Sequence, residues 1–276
     1  MTTVCIDGVL VSPEAATISV FDRGVLYGDG LFEILRTWHG VAVDLDAHLD
    51  RLYASAHALS LRARPRAALA SDVLAAVAAA GTGSDHRIRI VVTRGPGALT
   101  ARLAELGPGR AIVVVEPLPP LPRTLALATV DWPLPRRPAP AHKLLAYADH
   151  VLARELAAAA GADEAVRLDA DGDVAEGATS NLFLVAGGAL VTPPLAGGSG
   201  ILPGVTRARV LACAERLAIP ARVEHVSLAA LQAADELFVT SAVRGVVAVV
   251  RLDGEDRMAG PITARLAAAY EHDFRL

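Results

Sequence analysis

Apolar and polar residues alternate in short runs over the first forty positions, in VCIDGVLV, TISVFD and LFEILRTWHGVAVD. A period of two predicts strands, and the IDG and WHG turns fit hairpins. The period then changes. Leu45, Leu49, Leu52, Ala56 and Leu59 recur at helical spacing, which predicts a helix from Leu45 to Leu61, and Ala67 to Ala80 predicts a second. RIRIVVTRG and RAIVVVEPL are β-branched runs bounded by Gly and Pro, hence strands. Glu116 to Thr124 carries four prolines in nine residues and fits neither a helix nor a central strand.

The second half opens with the β run LALATVDW, followed by a helix over Leu144 to Ala160. Strands in EAVRLDADGDVAEG and NLFLVAGGALVTPP come next, then a helix opening near ILPGVTRARVLACAERL. ELFVTSAV and VVAVVRLDG predict two more strands before a terminal helix. The expected organisation is a small N-terminal α+β domain over residues 1–117, a proline-rich linker over 118–124 and a larger α+β or α/β domain over 125–276.

Composition narrows the class. With 276 residues the chain buries a large core without disulfides or metals, and 53% apolar but only 4% aromatic residues means Ala, Val and Leu fill it. Net charge is −4 with both signs interspersed, so no basic patch argues for nucleic acid. No apolar run is long enough to span a membrane, and MTTVCIDGVLVSPEAATISV lacks the charged start and apolar stretch of a signal peptide. Cys5 and Cys213 lie far apart with no C-x-x-C, as in a reduced, cytoplasmic protein. The histidines show no metal-ligand spacing, GDG at 28–30 is too short for a dinucleotide fingerprint, and no G-x-S-x-G occurs.

Several residues have the chemistry of a site, each beside a plainer reading. Lys143, after a proline-rich turn and opening a helix, is either a solvated first-turn residue or an amine desolvated for covalent chemistry. ILPGVTRARV places Val205 and Thr206 at a helix start, where free N–H groups and a hydroxyl suit a phosphate or merely cap the helix. Thr240 to Val243, TSAV, offers hydroxyls at a strand end. Glu176 is either a hairpin-tip carboxylate or the partner of a heterocyclic nitrogen. Arg51, in HLDRLYASA, either reaches a phosphate or pairs with Asp46 or Asp50.

Taken in order, FDRGVLYGDGLFE, HLDRL, HKLL, EGATSNLFLV, ILPGVTR and VTSAV resemble the motifs of the class IV aminotransferases, the fold-type IV pyridoxal 5′-phosphate (PLP) enzymes, from about Ile6 to Leu252. That family contains D-amino acid and branched-chain aminotransferases, (R)-amine transaminases and 4-amino-4-deoxychorismate lyases. The resemblance implies a two-domain enzyme like D-amino acid aminotransferase, with its active site at the domain and dimer interface. It implies that Lys143 binds PLP covalently and shuttles a proton, that Glu176 faces the pyridine nitrogen and that Leu202 packs on the ring. It further implies phosphate ligands in Arg51, Val205, Thr206, Ser241 and Ala242, and a cofactor hydrogen bond from Tyr147.

Departures from the family pattern bear on substrate. Phe32 stands where D-amino acid aminotransferases carry a carboxylate-binding Tyr, and the loop GPGALTARL lacks their Arg and His. Branched-chain aminotransferases carry Tyr-x-Arg on the strand where this chain has Arg87 and Arg89. Arg89 and Arg244 are therefore the candidates for a substrate carboxylate. The expectation is a ping-pong transaminase, leaning towards D-amino acids with 2-oxoglutarate or pyruvate. A lyase releasing 4-aminobenzoate and pyruvate and a branched-chain L-amino acid aminotransferase are the alternatives, with a non-enzymatic PLP-binding protein remote.

Overall fold

A computed structural model describes residues 1–98, 100–135, 141–195 and 200–274. They form two compact units, Met1–Pro120 with His142–Tyr147, and Leu121–Ala141 with Ala148–Leu276.

The first unit holds β1 (Thr3–Ile6), β2 (Val9–Val11), α1 (Arg23–Tyr27), β3 (Gly30–Trp38), β4 (Val41–Ala42), α2 (Leu45–Ala58), α3 (Arg66–Ala80), β5 (His86–Thr93) and β6 (Ala111–Pro117). Its six strands run antiparallel in the order β2-β1-β6-β5-β3-β4. Alternation along β5 buries Ile88, Ile90 and Val92 and exposes Arg87 and Arg89. The buried face packs on Leu49 and Leu52 of α2 and on Leu69 and Val73 of α3. Helical spacing thus predicted α2 and α3 closely.

TISVFD is not a strand. Asp22 is fully buried, accepts from the N–H of Gly24 at 2.7 Å and from the Thr93 hydroxyl at 2.8 Å, and so caps the short helix α1. A local side-chain-to-backbone bond of this kind competes directly with strand pairing.

The helix expected from Leu144 starts only at Ala148. Residues 143–145 are instead extended along the edge of β3. Phe32 N–H donates to the Lys143 carbonyl at 2.9 Å, Leu145 N–H donates to Gly30 at 3.0 Å, and Leu31 bridges Leu144 antiparallel. β4 pairs only with Thr37 and Trp38, which leaves that part of the β3 edge for this segment. Gly30 permits the approach, because a Cβ there would lie 2.6 Å from Leu145 Cδ1 and 2.6 Å from the Val92 carbonyl oxygen. The proline-bearing stretch before Lys143, residues 136–140, lies outside the described residues, as does Leu99 in the loop after β5.

The second unit holds β7 (Thr124–Thr129), α4 (Ala148–Ala159), β8 (Glu164–Leu168), β9 (Val174–Gly177), β10 (Asn181–Ala186), β11 (Ala189–Thr192), α5 (Val205–Arg216), β12 (Ala221–Val223), α6 (Leu228–Gln232), β13 (Glu236–Ser241), β14 (Gly245–Leu252), β15 (Glu255–Asp256) and α7 (Pro261–His272). Its strands form a mixed sheet in the order β12-β11-β10-β13-β14-β7-β8-β9, with β15 on β14. One face packs Phe183 and Phe238, stacked at 4.9 Å, against Val210 and Cys213 of α5 and Leu266 of α7.

β10 begins at Asn181 where the antiparallel β13 reaches Thr240. The Glu176–Asn181 loop and the turn after Ser241 therefore share one end of the sheet. Both cysteines are buried and free, and no helix among the described residues is long and apolar enough to cross a membrane.

Candidate functional site

In the first unit, side chains alternate across β3 so that Leu31, Glu33 and Leu35 face the helices while Phe32 faces away. The Lys143 ammonium lies 4.6 Å from the Phe32 ring centre and 5.4 Å from that of Tyr147. The two rings meet edge-on at 5.0 Å. The Arg89 guanidinium stands over the same Phe32 ring at 4.7 Å. An amine, an aromatic wall and a second cation are thus assembled around one side chain. Arg87 pairs with Glu116 at 2.7 Å on the surface, so neither arginine of the strand is buried.

Glu33 is the residue that sequence reasoning passed over. It lies on the core face with 1% exposure and binds His48 Nδ1 at 2.8 Å. Arg51 grips it with Nε at 2.8 Å and Nη2 at 2.6 Å. His48, Arg51 and Ser55 repeat at helical spacing on α2, the first two meeting Glu33 of β3 and Ser55 Oγ lying 3.0 Å from His142 Nδ1. Burial pushes the Glu33 carboxyl up, but the His48 bond and the Arg51 charge override it and hold it at about 2. Arg51 therefore pairs with Glu33, whereas Asp46 and Asp50, the partners considered from sequence, pair with Arg66. An acidic residue on the apolar face of a strand was the signal available.

In the second unit Glu176 is buried, and its Oε2 accepts from Asn181 Nδ2 at 3.1 Å and from the Leu202 N–H at 3.0 Å. Asn181 also donates to the Leu202 carbonyl at 3.0 Å. These bonds tie the β9–β10 loop to the segment entering α5. Gly204 closes the join, since a Cβ there would lie 1.9 Å from Asn181 Oδ1. Gly204 gives α5 no side-chain cap, and Val205 and Thr206 open the helix, with Thr206 buried. Burial pushes the Arg207 guanidinium down, opposed by the charge of Glu176.

Ser241 ends β13 and, with Ala242, begins the turn to Gly245, both half-buried. Arg244 closes this turn. Its guanidinium, expected to meet a substrate anion, is engaged by protein acceptors at two nitrogens, with Nη2 2.8 Å from Glu164 Oε2 and Nε 3.2 Å from Ser241 Oγ. In space Asp169, Asp173 and His225 bring ligand atoms within 4.8 Å of one another despite having no ligand spacing in sequence. Asp169 Oδ1 is already bonded to the amides of Asp171 and Asp173.

An amine beside aromatic rings in the first unit, and a buried carboxylate and a helix N-terminus without a side-chain cap in the second, are groups that pyridoxal phosphate chemistry uses. The family model for class IV amino-transferases matches residues 30–252, and the chain belongs to that family. A Methanocaldococcus jannaschii protein named "Putative branched-chain-amino-acid aminotransferase" is 36% identical, over 96% of this chain and 94% of its own length. A D-alanine aminotransferase of Staphylococcus haemolyticus is 30% identical over 98% of this chain and 97% of its own.

Solved structures agree. The branched-chain aminotransferase of Thermoproteus uzoniensis, with norvaline, superposes with a TM-score of 0.90 at 32% identity, covering 98% of this chain and 93% of that one. The 4-amino-4-deoxychorismate lyase of Pseudomonas aeruginosa gives 0.87 at 35%, covering 99% and 100%. A branched-chain aminotransferase of T.th., complexed with N-(5′-phosphopyridoxyl)-L-glutamate, gives 0.89 at 29%, covering 99% and 93%. The chain is a PLP-dependent aminotransferase of fold type IV.

The residues present fit that cofactor. The α5 N-terminus and the Ser241 turn offer donors of the kind that would hold a phosphate, and the buried Glu176 carboxylate is of the kind that would accept from a protonated ring nitrogen. When bound, PLP supplies an electron sink for the bond broken at the substrate's amino carbon.

Proposed function

We propose that the protein transfers amino groups between apolar α-amino acids and 2-oxo acids, with 2-oxoglutarate as acceptor and with Arg89 holding a substrate carboxylate. The observation that carries this reading is the pairing of Lys143 and Arg89 on one aromatic ring, at 4.6 Å and 4.7 Å. A dicarboxylate substrate or acceptor reacting at Lys143 meets a guanidinium for its distal carboxylate, and Phe32 and Tyr147 offer an apolar wall. Lys143 Nζ would carry the cofactor and, once displaced by the substrate amine, would take the proton from the substrate's Cα and deliver it to the cofactor's carbon, so that hydrolysis leaves the amino group on the cofactor. Glu176 keeps the ring nitrogen protonated, and Leu202 packs on the ring. Arg51, fixed by Glu33, joins Val205, Thr206, Ser241 and Ala242 on the phosphate, while Tyr147 bonds the cofactor's phenolic oxygen.

The Arg on β5 follows the branched-chain pattern, and the relatives named for branched-chain substrates support L-amino acids. The D-amino acid lean, drawn from FDRGVLYGDG, is the second reading, and the likeness over full length to D-alanine aminotransferase favours it. The test is a panel of D- and L-amino acids followed through the cofactor spectrum in single half-reactions. Conversion of the cofactor to its amine form by L-leucine and L-valine supports the first reading, and by D-alanine the second. Release of 4-aminobenzoate from 4-amino-4-deoxychorismate, without that conversion, overturns both in favour of a lyase.

The protein works as a homodimer in this reading. Ile18, Val20, Phe21, Val25, Leu26 and Tyr27 form an exposed apolar run in the first unit, the kind of patch that a subunit interface covers. Sedimentation equilibrium checks it, and a monomer at working concentration rejects it.

A further inference from the structure

We propose that Arg244 is a positioning residue that commits the Ser241 hydroxyl to donate towards the cofactor phosphate. The inference rests on the reading of Ser241 as a phosphate ligand. Ser241 Oγ accepts twice from Arg244, from its backbone N–H at 3.3 Å and from Nε at 3.2 Å. A hydroxyl has one proton and two acceptor lone pairs. With both lone pairs engaged, the proton points away from Arg244, and an anion is the ligand that uses it. A hydroxyl left to rotate lacks that commitment.

The guanidinium is itself held. Its Nη2 donates to Glu164 Oε2 at 2.8 Å and to Thr179 Oγ1 at 2.8 Å, and Thr179 in turn donates to Glu164. Glu164 is 1% exposed at the start of β8, so the anchor is rigid and its charge offsets that of Arg244. Thr179 belongs to the loop carrying Glu176 and Asn181. One arginine therefore braces the Ser241 turn against the Glu176 loop without adding net positive charge. This separates it from Arg89, whose guanidinium lies over an aromatic ring.

Removing Arg244 alone would leave the Glu164 carboxylate buried without its cation. Arg244→Lys keeps the charge but loses the planar fork, and Glu164→Gln combined with Arg244→Gln removes both charges. The experiment measures binding of PLP and of pyridoxal, which lacks the phosphate, to the cofactor-free protein, together with the KM for amino acid substrate. Ser241→Ala is expected to weaken PLP by about tenfold or more, the loss of one charge-assisted bond. Arg244→Lys and the charge-free pair are expected to weaken PLP to a similar degree. Pyridoxal binding should barely change, and Arg244→Lys should add nothing to Ser241→Ala.

Additive losses would mean that Arg244 touches the phosphate itself, and equal losses for PLP and pyridoxal would mean a purely structural role. A raised KM with unchanged PLP binding would return Arg244 to the substrate. Each of these overturns the inference. If Ser241→Ala weakens PLP and neither Arg244 variant does, the inference fails while the phosphate reading stands. If Ser241→Ala changes nothing, the phosphate reading of Ser241 fails as well.

Discussion

The backbone of Lys143 is hydrogen-bonded to that of Phe32, the carbonyl of the first accepting from the N–H of the second at 2.9 Å. The amine of the one then lies 4.6 Å from the ring centre of the other. The strand β3, rather than helix α4, sets where the lysine amine stands. This makes Phe32 a support of the lysine.

Borohydride reduction of the yellow holoenzyme, followed by peptide mapping, should place the cofactor on Lys143. Lys143→Ala should lose the yellow band and essentially all turnover. A label on any other lysine refutes the assignment.

Glu176→Gln should retain the fold, because Asn181 and the Leu202 N–H still find an oxygen acceptor. It should retain cofactor yet slow Cα deprotonation by orders of magnitude, since the ring nitrogen is no longer kept protonated. Single-turnover kinetics measure the step, and a rate near that of the parent protein assigns the task elsewhere.

Arg89→Leu should weaken dicarboxylate substrates by roughly 10- to 150-fold, the loss of about 1.5–3 kcal/mol in a charge-assisted contact. PLP binding and small apolar amino acids should be spared if Arg89 holds the distal carboxylate. Equal losses for alanine and glutamate would place it on the shared α-carboxylate instead.

The Glu33 carboxyl is held down from 4.5 to about 2 in the folded protein. A depressed carboxyl stabilises the fold above its unfolded value and loses that contribution as pH falls through the folded one. Glu33 should therefore contribute about 3 kcal/mol at neutral pH, declining between pH 4.5 and about 2. Denaturant unfolding of the parent and of Glu33→Gln should differ at pH 7 and converge near pH 2. A constant gap across that window rejects the assignment.

Gly30→Ala should cost about 1–3 kcal/mol, as overpacking does. Its Cβ meets the Val92 carbonyl as well as the mobile end of Leu145. The variant should also take up PLP more slowly, because residues 143–145 are pushed from the strand. Stopped-flow reconstitution of the cofactor-free protein reads this, and unchanged uptake would separate the glycine from the lysine.

What sequence made legible follows the range of the forces involved. α2, α3, β5 and β6 carry their own periodicity, so local pattern was enough. TISVFD failed because one buried Asp22 caps a helix through a bond no periodicity reports. The segment of Lys143 failed because its partner, β3, lies far away in the chain. Motif order singled out Lys143 and Glu176 as candidates and passed over Glu33 and His48, whose pairing appears only when α2 is laid against the sheet. Arg244 was read by its charge, and Glu164, which cancels that charge, is distant in sequence.

Until residues 143–145 leave the ribosome, a nascent chain holds β3 with part of one edge bare. Unpaired strand edges recruit other polypeptides. A chain stalled in the proline-rich stretch displays that edge together with the sticky run from Ile18 to Tyr27, so chaperone demand should peak there. Pairing of residues 143–145 then covers that edge, so the stretch that delivers Lys143 is also the one that closes β3.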